Sequence, residues 1–249
     1  MKPAKYIADH LRQVLINGAS APHTVEVQHF FKEEIQSRGW RAHELRKLAR
    51  RFTKVIKGDA GLPYLIEIAD DLFKGRVLEE KILAVLLLET STKQMTRDDF
   101  HRFETWLKRV STWADHDALA SYLLGPLMAA DPTLSRNALL WAKSKDKWHR
   151  RAAAVSLIRG VRAKQFESET KRVTASLLGD EDLMVQKGLG WLLRESAKYN
   201  PEFAVPLLKK ISKTAPRLVL RTGCETLPIN LRAEILGHSR QGKLSRTRS

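Results

Sequence analysis

The chain has 249 residues, enough for one large domain or two small ones, with 44 Lys and Arg residues against 28 Asp and Glu. The resulting net charge of +16 favours polyanionic partners: DNA, RNA or an anionic membrane surface. A single cysteine, Cys224, excludes a disulfide framework and a cysteine-based metal site within one chain, and it favours a reducing compartment.

Apolar residues recur at three- and four-residue steps along the chain, which predicts about twelve α-helices and no strand. In chain order the predicted helices cover residues 4–15, 43–56, 62–73, 77–89, 98–110, 117–129, 134–144, 148–160, 169–179, 182–198, 202–213 and 215–227. Turn-forming stretches such as NGASAP, SRGW and GDAGLP separate them. Thr96 followed by Asp99 predicts a capping box at the start of one helix.

Several of these helices pair at a spacing close to that of a helical repeat, about 40 residues. We therefore expect an all-α fold, an α-solenoid of HEAT-like helix pairs with a concave basic face, and an irregular helical bundle is the alternative. Residues 1–236 are predicted to form a single domain. The basic segment 237–249 contains no acidic residue and is predicted to be a disordered tail.

The N-terminal residues lack the apolar region of a signal peptide, and the longest apolar run, residues 82–88, is too short to cross a bilayer. We expect a cytoplasmic, monomeric protein with no membrane partner. The sequence contains no P-loop, HExxH or GxGxxG motif, so neither a cofactor nor a metal is predicted.

The stretch STWADHDALASYLLG (111–125) is the first candidate for chemistry. Trp113 and Asp117 are four residues apart and share a face if a helix begins near Thr112. Asp115 follows Thr112 in the spacing of a capping box, so it has a structural explanation. Asp117 has no such capping role. Its alternative interpretation is a solvated carboxylate near a helix N-terminus.

Two further residues follow at intervals of about one helix pair, roughly 40 residues. They are Arg151 in KDKWHRRAAAVSLIRG (145–160) and Trp191 in VQKGLGWLLRESAKYNPE (185–202). In a solenoid this spacing would place Asp117, Arg151 and Trp191 on successive inner helices. Considered singly, Trp191 could be a core residue and Arg151 a solvated surface residue.

The motifs WxxxD (113–117), RRAAAVSLIRG (150–160) and QKGLGWLLRESAKYNP (186–201) together resemble the AlkD family of DNA alkylation-repair proteins, which are HEAT-like-repeat DNA glycosylases. The resemblance covers about residues 25–235. It places the family's catalytic aspartate on Asp117, its sugar-facing tryptophans on Trp113 and Trp191, and its phosphate-contacting arginine on Arg151.

The resemblance implies hydrolysis of the N-glycosidic bond of cationic N3- and N7-alkylated purines in duplex DNA. It also implies base excision repair in which the damaged base is not flipped into a pocket of the protein. The basic residues around the motifs are expected to contact DNA; they are Arg150, Lys147, Lys187 and Arg194. Two other functions remain open at this point: a non-catalytic nucleic-acid-binding HEAT-repeat protein, and a protein-binding scaffold.

Overall fold

A computed structural model of the protein describes residues 2–237. Within that range the regular elements are helices, and one isolated parallel bridge joins Gln36 to Val77. The predicted all-α class is therefore confirmed, and successive helices pack as the pairs typical of an α-solenoid. The chain divides into two compact units, Met1–Asp131 and Pro132–Ser249, and the single domain over 1–236 stays a prediction. The predicted tail lies, apart from Gly237, outside the described residues.

The first unit is built from helices joined by short turns and irregular segments. They are α1 (Ala4–Asn17), α2 (Ala21–Gln28), α3 (Ala42–Phe73), α4 (Leu78–Leu88), α5 (Arg97–Trp106), α6 (Trp113–Leu119) and α7 (Gly125–Ala130). Helix α2 was not predicted, because it is short and contributes no buried residue, so its apolar periodicity is weak.

Helix α3 joins two segments that the sequence analysis separated. Gly61 adopts φ 80° inside the helix, and Pro63 follows, so the chain bends where the turn GDAGLP was predicted. Both halves remain helical because they bury an apolar stripe. Its buried members are Leu45 and Ile56 before the bend and Leu65, Ile68 and Leu72 after it, and the helix packs against α1 and α4.

Almost all of helix α4 is buried, including three charged residues in its first turn: Glu79, Glu80 and Lys81. Glu79 accepts hydrogen bonds from the Ser37 hydroxyl at 2.7 Å and the Gly39 amide at 2.9 Å, and Glu80 pairs with the Arg12 guanidinium at 3.3 Å. These bonds satisfy the carboxylates where water cannot reach them. Glu79 thereby ties the irregular segment after α2 to the core.

Asp70, on the second half of α3, accepts hydrogen bonds from three side chains of the same unit. The donors are Trp106 Nε1 at 2.7 Å, Arg109 at 3.0 Å and Lys74 at 3.0 Å. Partial burial opposes ionisation of this carboxyl, but the three donors outweigh that effect and lower the pKa of Asp70 from its ordinary value.

The second unit contains α8 (Arg136–Trp141), α9 (Lys147–Val155), α10 (Ile158–Val161), α11 (Glu167–Leu177), α12 (Leu183–Tyr199), α13 (Pro201–Ile211), α14 (Arg217–Gly223) and α15 (Ile229–Ile235). Helix α12 is the centre of this unit and packs against α9, α10, α13 and α14. Glycines allow the close approach. A Cβ at Gly190 would lie 2.8 Å from Thr222 Cβ of α14, and one at Gly188 would lie 3.0 Å from Arg151 Cγ of α9.

Candidate functional site

Helix α6 begins with the predicted cap. The Thr112 side chain accepts from the Asp115 amide, and Asp115 in turn accepts from the Thr112 amide at 2.7 Å, so the capping box is present. The second predicted box, Thr96 with Asp99, is present at the start of α5. Asp115 therefore has the structural role expected of it.

A buried ion pair fastens this helix start to α4. Lys81 Nζ lies 3.2 Å from Asp115 Oδ2, and the two side chains are 3% and 0% exposed. Lys81 Nζ also donates to the Ser111 hydroxyl and to the Arg109 carbonyl, and the Ser111 amide donates to Asp115 at 2.9 Å. Because both charges are hydrogen-bonded, the pair can persist in the interior and fixes where α6 begins.

Trp113, the first residue of α6, is partly buried and stacks on Phe31. The ring centroids are 5.0 Å apart and the planes differ by 18°. Phe31 belongs to the irregular segment after α2, which Glu79 holds in place. The stack covers one face of the indole and restricts its rotation.

Asp117 lies one turn after Trp113, as the WxxxD spacing predicts. Its side chain is 20% exposed, and its Oδ1 lies 2.7 Å from Nδ1 of His116, which is fully buried. A π-helical turn, Ala120–Leu124, follows α6 and leads into α7. Such turns are frequent at functional sites. Unit one thus presents a partly exposed carboxylate next to an indole on one short helix.

Arg151 and Trp191 lie on the packed helices α9 and α12 of the second unit. Arg151 is 5% exposed, and its guanidinium donates to the Met184 carbonyl at 2.5 Å. Met184, Gly188 and Trp191 are four and three residues apart on α12, which places them on one face. The Arg151 side chain therefore lies against α12 at Met184 and Gly188.

Trp191 is partly buried and donates from Nε1 to Glu195 Oε1 at 3.3 Å. Glu195 also pairs with Arg162 at 2.8 Å and with Arg194 at 3.4 Å. This network anchors the indole by its polar edge. Asp117 and Trp113 belong to the first unit, and Arg151 and Trp191 belong to the second.

The four residues predicted to contact DNA differ in how many contacts their side chains already make within the protein. Arg150 pairs with Asp180 at 2.5 Å and donates to the Ser144 and Lys145 carbonyls, and Arg194 pairs with Glu225 at 3.1 Å. Lys147 Nζ lies 5.0 Å from the centroid of the Trp148 ring, and Lys187 is exposed.

Arg150 fastens the loop before α9 to that before α12, a structural role that the sequence analysis did not foresee. DNA contact by all four basic residues stays a prediction.

Two properties of the described residues bear on the kind of site. In residues 2–237, no helix has the length and apolar character needed to cross a membrane. The same residues contain no group of three or more His, Cys, Asp or Glu side chains that could hold a metal ion.

Comparison with known proteins identifies the family. The family model described as "DNA alkylation repair enzyme" matches residues 11–227, so the chain belongs to the family of DNA alkylation repair enzymes. A solved structure described as a predicted DNA alkylation repair enzyme from Enterococcus faecalis is similar, with a TM-score of 0.76 and 19% identity. The match covers 85% of this chain and 97% of that one, and at this identity it supports the fold alone. The search of curated proteins finds no match.

Sequence reasoning did not find Phe31, His116 or Glu195. Phe31 meets Trp113 through an irregular segment, and no local pattern predicts that contact. His116 and Glu195 are one residue from Asp117 and four from Trp191, so their proximity to the candidate residues was the available signal.

Proposed function

We propose that the protein is a DNA glycosylase that hydrolyses the N-glycosidic bond of cationic N3- and N7-alkylated purines in duplex DNA. The observation that carries the proposal is Asp117. It is a partly exposed carboxylate one helical turn from a braced indole, in a chain of the DNA alkylation repair enzyme family. Asp115, the neighbouring carboxylate, is fully buried and already paired.

The chemistry suits a single carboxylate. A purine alkylated at N3 or N7 is cationic and leaves as a neutral base, so no general acid is required to protonate it. As the bond to the base breaks, positive charge develops on the sugar. The Asp117 carboxylate stabilises that charge and aligns or deprotonates the attacking water, by the electrostatic logic of glycoside hydrolysis.

The aromatic and basic residues assist in different ways. Trp113 and Trp191 offer indole faces to the cationic sugar, each worth on the order of 0.5–2 kcal/mol depending on desolvation. Arg151 binds a phosphate next to the lesion and fixes the geometry. Both indoles are held by neighbours, Phe31 in one case and Glu195 in the other, so little ordering is left for the reaction itself.

Duplex DNA is the partner, consistent with the net charge of +16, and the reaction belongs to base excision repair. The monomeric state and the cytoplasmic location remain predictions from the sequence.

The test is base release by the full chain and by Asp117→Asn from a duplex containing one N7-methylguanine. Asp117→Asn keeps the size of the side chain and removes its charge. We expect single-turnover release to slow by orders of magnitude while DNA affinity is nearly unchanged, because the carboxylate acts mainly in the transition state.

The matched control is Asp98→Asn, the same substitution at an exposed position in the first turn of α5 in the same unit. It should release base at the wild-type rate. Binding without base release by the wild-type chain would favour the non-catalytic nucleic-acid-binding protein instead.

A further inference from the structure

Three arginines of the second unit line an open cavity of about 420 Å³ near the C-terminal end of the described chain. Arg217 and Arg221 lie one turn apart on α14, and Arg232 lies on α15. All three residues are exposed. We call these three residues the C-terminal arginine cluster.

The acidic residues of the same segment do not neutralise this cluster. Residues 217–237 contain two of them, Glu225 and Glu234. Glu225 pairs with Arg194 at 3.1 Å, and Glu234 pairs with Lys209 at 2.7 Å. Both carboxylates are therefore already bound to cations outside the cluster.

Two members of the cluster have guanidinium groups that are open to a ligand. Arg217 donates to the Leu236 carbonyl at 2.7 Å and so joins α14 to the residue that follows α15. Within residues 2–237, the side chains of Arg221 and Arg232 make neither a hydrogen bond nor an ion pair. Like charges that line one cavity repel one another, and a bound anion relieves that repulsion.

Apolar side chains complete the lining of the cavity. They are Ile229, Ala233 and Leu236, and Ile229 is 83% exposed although it is a large apolar residue. A guanidinium offers paired N–H donors that match the oxygens of a phosphate, and an apolar surface suits the carbon face of a sugar. The DNA backbone presents both groups together, a phosphate diester joined to deoxyribose. Inorganic phosphate presents the anion without the sugar.

The cluster lies on a helix that packs directly against the helix carrying Trp191. Helix α14 approaches α12 so closely that a Cβ at Gly190 would lie 2.8 Å from Thr222 Cβ. These two residues are the sequence neighbours of Trp191 and Arg221. The segment 238–249, which follows the cavity in the chain, carries basic side chains and no acidic one, so its side chains cannot supply the missing anion.

We propose that the C-terminal arginine cluster is a phosphate-binding site for the DNA backbone: Arg221 and Arg232 bind one phosphate, and Ile229 contacts the adjoining deoxyribose. This rests on the proposed function in one respect, that duplex DNA is the partner. It adds a contact outside the proposed catalytic residues, which the sequence motifs did not indicate. Because the site contacts the backbone and not the bases, it binds damaged and undamaged duplexes alike.

The test is the salt dependence of binding of the full chain to an undamaged duplex, a readout that does not require base release. The double variant Arg221→Ala, Arg232→Ala removes both open guanidinium groups and keeps the bond from Arg217 to Leu236. We expect the slope of log affinity against log salt to fall by about 0.9, the value for one phosphate, and the affinity at low salt to fall roughly tenfold. Ile229→Ser should weaken binding roughly twofold to fivefold at an unchanged slope, because it removes apolar contact and no charge.

The matched control is the double variant Arg159→Ala, Arg172→Ala, which removes the same charge from exposed positions on α10 and α11 of the same unit. This control should keep the wild-type slope. Equal losses of slope in the two double variants would show a general effect of net charge and overturn the site. An unchanged slope in the variant of Arg221 and Arg232 would overturn it as well.

Inorganic phosphate separates the two sources of this anion. Calorimetric titration of the full chain with phosphate should show no saturable binding, since the sugar contact is missing. Saturable phosphate binding that is lost in the double variant of the cluster, at an unchanged slope for DNA, would assign the cavity to a free anion and overturn the proposal. The two proposals fail differently: a wild-type chain that binds the duplex but releases no methylated base refutes the glycosylase function, whereas an active wild type whose cluster variant keeps its slope refutes the phosphate site alone.

Discussion

Substitution of Lys81 by Met tests how α6 is held in place. Lys81 Nζ lies 3.2 Å from Asp115 Oδ2, and at 3% and 0% exposure neither side chain can exchange its partner for water. Lys81→Met keeps the aliphatic stem and removes the charge, leaving Asp115 buried without its cation. Breaking a buried pair from one side costs about 3–5 kcal/mol.

For a chain of this size, 1 kcal/mol corresponds to about 2–4 °C in Tm, so Lys81→Met should lower Tm by roughly 6–20 °C. The assay is thermal unfolding followed by circular dichroism, with urea unfolding as a second measure. Lys93→Met, at an exposed position just after α4, is the control and should shift stability by no more than about 0.5 kcal/mol.

A double-mutant cycle with Asp115→Asn completes the test. The double variant should lose less than the sum of the two single variants, because the second substitution removes a charge that the first left unpaired. If Lys81→Met costs less than about 1 kcal/mol, or if the two substitutions are additive, the ion pair does not anchor α6 and the reasoning is wrong.

Three further predictions concern DNA binding, acid stability and packing. If exposed Lys187 contacts one phosphate, Lys187→Ala should reduce the slope of log affinity against log salt for duplex DNA by about 0.9, and an unchanged slope would exclude that contact. Because the folded-state pKa of Asp70 is lowered, its contribution to stability is present above the ordinary value of 3.8 and is lost as pH falls through the folded-state pKa. Asp70→Asn should therefore lower Tm at pH 7 and cost progressively less below about pH 4; a Tm difference that does not vary with pH would contradict this. Gly190→Ala places a methyl group 2.8 Å from Thr222 Cβ, so it should destabilise the second unit by about 1–3 kcal/mol in urea, and a neutral effect would show that α12 and α14 separate readily.

Features set by local chemistry were predicted best. Both capping boxes are present, because a Thr and an Asp three residues apart need only each other and the backbone. The stretch GDAGLP was predicted to separate two helices, whereas the structure has a kink at Gly61 within one helix. Buried Leu45 and Ile56 before the kink, and buried Leu65 and Leu72 after it, keep α3 helical on both sides. Periodicity cannot show whether a bend ends a helix or only kinks it.

Contacts made by irregular segments could not be predicted. The stack of Phe31 on Trp113 depends on Glu79, in α4, holding the segment before α3 by hydrogen bonds to backbone amides. Helices α2 and α15 were not predicted because both are short. Each has at most one buried residue, which is too few to show an apolar periodicity. The motifs supplied the candidate residues, but they gave no indication of Phe31, the neighbour that holds Trp113.

We propose that the positive charge of the lesion, and not recognition in a pocket, selects the substrate. The most direct measurement is base release by the full chain from a panel of duplexes, each carrying one N3-methyladenine, N7-methylguanine, uracil or 8-oxoguanine, with strand cleavage read after alkali. We predict release of the two cationic purines and none of the neutral bases, because a carboxylate and two indoles stabilise a sugar cation and do nothing for an anionic leaving group. Efficient release of uracil, or no release of either methylated purine, would contradict selection by the charge of the lesion.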